Sequence, residues 1–61
     1  MKGFAKCNLV NDHGVQCFHM EINGDHYGSY PLNGGEQSVR MQIQDAVKDA
    51  KEYGYEGICF N

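Results

Sequence analysis

The side chains in this sequence best suited to chemistry are Cys17, His19, Glu21 and His26. Alternation along one extended segment sets Cys17, His19 and Glu21 on the same side of a strand, and a tight turn at Asn23-Gly24 brings His26 opposite Glu21. Thiolate, imidazole and carboxylate are zinc-ligand types, and an imidazole beside a carboxylate can act as an acid/base pair near neutral pH. Structural zinc sites, however, carry closely paired ligands on loops or knuckles, and a C-x-H pair on one strand with a remote histidine lacks that spacing. Catalysis would further need a nucleophile, oxyanion donors and a cavity, for which a chain of 61 residues has little room. The sequence therefore favours a cross-strand Glu–His contact, with zinc on Cys17, His19 and His26 as the alternative. Neither an enzyme nor a cofactor is expected.

Two other features reduce to structure. Cys7, Cys17 and Cys59 are odd in number and lack CxxC spacing, which fits reduced thiols better than a disulfide framework. Cys7 reads as a small buried hydrophobe, and Cys17 and Cys59 as the more exposed thiols. Gly34-Gly35 precedes a helix but lacks the GxxxxGK[ST] or GxGxxG context of a phosphate loop, and reads as a connector.

The elements that must position these residues are legible as a pattern. Phe4 to Val10 and Val15 to Ile22 alternate with period two around the turn-rich Asn11-Asp12-His13-Gly14, which predicts a hairpin with a four-residue loop. Asn23-Gly24 predicts a second hairpin with a two-residue type I′ turn and a third strand near His26 to Leu32. That register sets Ala5 opposite Met20, Cys7 opposite Phe18, Met20 opposite Tyr27 and Glu21 opposite His26. One sheet face then collects Ala5, Cys7, Leu9, Phe18, Met20, Ile22 and Tyr27 as the core. The other collects Phe4, Lys6, Asn8, Cys17, His19, Glu21, His26 and Tyr30.

After Pro31, Ser38 is a plausible N-cap, and Val39, Ile43, Ala46, Val47, Ala50 and Tyr53 recur at helical spacing. Gly54 reads as a left-handed C′ residue, and Glu56 to Asn61 as a fourth strand, parallel to the first through a right-handed crossover. The expected fold is a single α+β domain over residues 1–61, βββαβ, with a three-stranded antiparallel meander, one amphipathic helix packed on one face and strand order 4-1-2-3.

Composition bounds the partners. The chain is 41% hydrophobic and 21% charged, with eight carboxylates against five lysines and arginines, a formal charge of −3. That charge opposes non-specific binding to phosphate backbones. The start, Met1-Lys2-Gly3-Phe4-Ala5-Lys6, has no apolar h-region and no segment is apolar enough to span a bilayer, so a cytoplasmic location without membrane attachment is expected. At this size a core is marginal, which keeps a homodimer or partner-bound state in view.

Two surfaces stand out as candidates for recognition. On the open sheet face Phe4, Lys6, His19 and Tyr30 offer aromatic and cationic groups. On the helix, Met41 lies opposite the apolar stripe, and Asp45, Asp49 and Glu52 form an acidic flank against Arg40, Lys48 and Lys51.

Three strands and a helix, with the turn Ile22-Asn23-Gly24-Asp25 and the strand Tyr27-Gly28-Ser29-Tyr30, loosely resemble the small DNA-reading domains of phage integrases and plant AP2 factors. The resemblance covers strand pattern and implies an open sheet face that enters a groove. Here Lys6 is the only permanent cation on that face, which departs from the basic surface such domains use. The leading expectation is a non-catalytic protein-binding module, a small acidic accessory protein or a phage-type inhibitor acting on a host complex. Nucleic-acid binding through the open face is the alternative.

Overall fold

The computed structural model describes residues 3–61; Met1 and Lys2 lie outside the described residues. Its elements are β1 (Phe4–Asp12), β2 (Val15–Ile22), β3 (Asp25–Pro31), α1 (Glu36–Glu52) and β4 (Gly57–Phe60). The strands form one sheet in the order β3-β2-β1-β4, with β1 parallel to β4 and the other pairs antiparallel. This is the βββαβ arrangement that the sequence predicts.

The two hairpins differ from expectation in instructive ways. The first turn is not a four-residue loop: both strands continue to a two-residue turn, His13-Gly14, with φ of 53° and 81°. Such a turn matches the right-handed twist of its strands better than a longer loop. The register consequently slides by two, pairing Cys7 with Met20 and Leu9 with Phe18. An even slip leaves every side chain on its own face, so the division of β1 and β2 into core and open sides stands.

The second turn is the expected one, Asn23-Gly24 at φ 54° and 85°, and it pairs Glu21 with His26. One residue later a β-bulge intervenes. Met20 faces Gly28 instead of Tyr27, and Phe18 faces Tyr30. A one-residue shift exchanges the faces of everything beyond it. Tyr30, expected on the open face, therefore lies in the core at 8% exposure.

The helix starts earlier than its apolar stripe. Gly35, not Ser38, occupies the N-cap, with Gly34 and Gly35 at φ 94° and 96° turning the chain into the first turn. Glu36 then sits where a carboxylate complements the helix dipole, and it pairs with Arg40 at 2.8 Å. The far end closes as expected around Gly54 at φ 91°. Gly54 N–H donates to Lys51 O and Tyr55 N–H to Ala50 O, both at 3.1 Å, the paired bonds of a Schellman motif.

The core lies between α1 and the sheet: Ala5, Cys7, Phe18, Met20, Ile22 and Tyr30 against Ala46 and Ala50, with Leu32, Ile43, Tyr55 and Ile58 at its margin. Ala46 and Ala50 are fully buried, and their small side chains bring the helix close to the Phe18 ring layer. Phe18 stacks on Tyr30 (centroids 4.9 Å apart, planes at 15°) and receives the edge of Phe60 at 5.1 Å. Leu9 and Tyr27, both expected in the core, are 55% and 40% exposed. One helix leaves part of a four-stranded sheet uncovered. No helix among the described residues is long and apolar enough to cross a membrane.

Candidate functional site

On the open face the expected cluster assembles only in part. β2 presents Cys17, His19 and Glu21 on one side by alternation, and the His19 and His26 rings meet edge to face with centroids 4.9 Å apart. Glu21 takes its hydrogen bond from Asn8, whose Nδ2 donates to Oε2 at 3.3 Å, and Asn61 Nδ2 donates to Asn8 Oδ1 at 2.9 Å. Cys17, expected to be exposed, is 7% exposed in the central strand, between Val10 of β1 and Pro31 of β3. Among the described residues no three His, Cys, Asp or Glu side chains gather in a metal-holding arrangement.

Of the four open-face recognition residues, Phe4 is 57% exposed with its ring over Gly57, Lys6 is exposed, and His19 is half-buried. Phe4, Lys6, Glu21, Gly24 and Tyr55 line a shallow depression there. Tyr30 is absent from this face, so the aromatic surface is smaller than expected.

On the helix, Met41 is 59% exposed, Asp45 is exposed one turn on, and Glu52 is exposed at the helix end. Asp49 is different. Its Oδ2 accepts a hydrogen bond from Tyr30 Oη at 2.8 Å, which ties this flank of α1 to β3. Burial, with donation to the Asp49 carboxylate as a second cause, pushes the Tyr30 phenol above its ordinary value. One turn on, Tyr53 meets Tyr27 edge to face at 5.4 Å. Asp49 is thus a fastening between helix and sheet.

The opposite flank of α1 is open. Ile43, Gln44, Val47, Lys48, Lys51 and Glu52 line a shallow depression along it. On the sheet below, Leu9 and Phe60 are 55% and 45% exposed on the helix-bearing side. The sequence held a partial signal, since the apolar stripe of α1 includes Val47 at its edge beside Lys51. The exposure of Leu9 and Phe60 depends on how the helix is seated on the sheet, which periodicity does not encode. Comparison with protein-family models, with curated proteins and with solved structures finds no match to this chain.

Proposed function

We propose that this protein is a non-catalytic protein-binding module, a small acidic accessory or inhibitory protein, that engages its partner through the helix-bearing side. The observation carrying this reading is the distribution of large exposed apolar side chains. Leu9, Tyr27, Met41, Tyr53 and Phe60 stand exposed on the helix-bearing side, against Phe4 and Val15 on the open face, around a core to which the helix contributes two fully buried residues. Apolar surface concentrated on one side of a small domain is a recognition feature. The charged groups Asp45 and Glu52 on the same helix would supply orientation and partner choice more than affinity.

The nucleic-acid reading has less support with Tyr30 inside the core and with the Glu21 carboxylate on the open face. The test is affinity capture of the tagged chain from its native lysate at moderate salt, with proteins and nucleic acids identified in parallel. A protein retained in stoichiometric amount after nuclease treatment is the expected result. Recovery of nuclease-sensitive DNA or RNA without a protein would replace this reading with the open-face one. The same purified chain, prepared without chelator or histidine tag, would carry stoichiometric zinc only under the metal alternative.

A further inference from the structure

The sheet ends in two edges that are finished differently. Along β1, successive residues turn their backbone groups to opposite neighbours. The two-residue turn makes Asp12 and Val15 a hydrogen-bonded pair, so Asn8, Val10 and Asp12 turn toward β2. Ala5 and Cys7 then turn toward β4, and Asn61 N–H donates to Cys7 O at 3.1 Å in agreement. In this parallel register Cys59 turns its own backbone groups inward, between Ala5 and Cys7. Ile58 and Phe60 therefore present N–H and C=O groups outward, at an edge where β4 has no second strand. The β3 edge is guarded: Tyr27 is the extra residue of the bulge, and Pro31 closes the strand without an N–H. Both devices discourage an edge from pairing. β4, Gly57-Ile58-Cys59-Phe60, has neither and carries no charged residue.

We propose that β4 pairs with β4 of a second copy of this chain, joining two four-stranded sheets into one. A two-fold axis sets a strand antiparallel to itself. Glu56 N–H is already donated to Gly3 O at 2.7 Å, so the outward donors are those of Ile58 and Phe60. The register that uses both sets Ile58 of each copy opposite Phe60 of the other and closes four hydrogen bonds between the copies. Phe60, 45% exposed, then lies beside Ile58 of the second copy on the helix-bearing face. Cys59, an exposed free thiol, falls on the axis opposite its own counterpart. That pair is not hydrogen-bonded, which sets its Cα atoms about 4.5 Å apart, within the span of a disulfide. A second copy is favoured over a foreign strand because this edge complements itself in donors, acceptors and apolar side chains and sets no charge on β4 against its like. It also extends a core that is marginal at 61 residues.

Sedimentation of the purified, reduced full chain over a wide concentration range tests this apart from the protein-binding reading. The expected result is a monomer–dimer equilibrium. Diamide, which takes up the two protons and two electrons released by a thiol pair, should then link the copies from Cys59 to Cys59. This link reads the register without any substitution. Cys59→Ser should abolish it and leave the equilibrium in place. N-methylphenylalanine at position 60 of a synthetic full chain removes one outward donor and keeps the ring. It should raise the dimer dissociation constant about thirtyfold, for two hydrogen bonds lost per symmetric dimer, with the circular dichroism of the monomer unchanged. A chain that sediments as a monomer throughout overturns the proposal. So does a dimer that N-methylation leaves as tight, or one that diamide does not link through Cys59. A monomeric chain that captures a lysate protein only without the N-methyl group overturns it in favour of a foreign strand.

Discussion

The β3 side and the β4 side of α1 cover the same sheet by different means. Toward β3 the helix is fastened by directional contacts, the Tyr30–Asp49 hydrogen bond and the Tyr27–Tyr53 ring pair. Toward β4 it approaches through apolar packing, and Phe60 and Leu9 are left half in solvent. A hydrogen bond to a charged group fixes position, whereas apolar contact tolerates sliding and exchange of partners. A protein this small can therefore keep one side rigid and leave the other available.

The strongest way to break this contrast is to remove the ring both sides share. Phe18 stacks on Tyr30 and is met by Phe60, so Phe18→Ala should cost about 3–5 kcal/mol. That is enough to leave the chain largely unfolded by circular dichroism.

Alkaline titration should come next in effect. Cys7, fully buried at the centre of the core, is pushed up from its ordinary 9.0 to about 11, by burial first and by the neighbouring Cys59 second. Its folded value lies above its unfolded one, so the unfolded chain loses its proton first. The stabilisation is complete below about pH 9 and is lost as pH rises toward 11. Tyr30, also raised, adds in the same direction. Urea midpoints measured across this range should fall with pH, and Cys7→Ala should flatten the fall.

A smaller effect sharpens the comparison. Tyr30→Phe removes the donor to Asp49 and should cost about 1–2 kcal/mol. Asp49→Asn keeps an acceptor and should cost less. The double variant should fall short of the sum, since both changes break one bond; additive losses would mean that the contact does not fasten the helix. On the other flank, Val47→Ser should change stability by no more than about 0.5–1 kcal/mol while weakening partner capture. A thermal melt and a capture assay on the same preparation separate the two readouts.

How much of this was legible follows from the period of each element. The faces of β1 and β2 survived a wrong loop length because the slip was even. Tyr30 did not survive an odd one. The warning was present in Gly28, a glycine inside a strand, which often marks a bulge. The stripe of α1 and the cap at Gly54 were readable because each is a local property of the chain. Asp49 looked like one member of a solvated acidic row, and its bond to Tyr30 emerged only once the bulge had turned that tyrosine inward. The seating of the helix on the sheet, and with it the exposed Leu9 and Phe60, depends on packing among distant elements and leaves no local trace.

The parallel pairing of β4 with β1 has a kinetic meaning. β1, β2 and β3 are joined by adjacent two-residue turns and can zip together from nearby contacts, whereas β4 reaches β1 only after the whole meander and helix have been traversed. Contacts closed last over the largest loop are commonly those that open most easily. Amide hydrogens on β4 should therefore exchange with deuterium through a partial opening that spares β2, whose amides should exchange only with global unfolding. If so, Phe60 sits on the segment with the lowest opening energy in the sheet, and a partner could reshape it without disturbing the central strands.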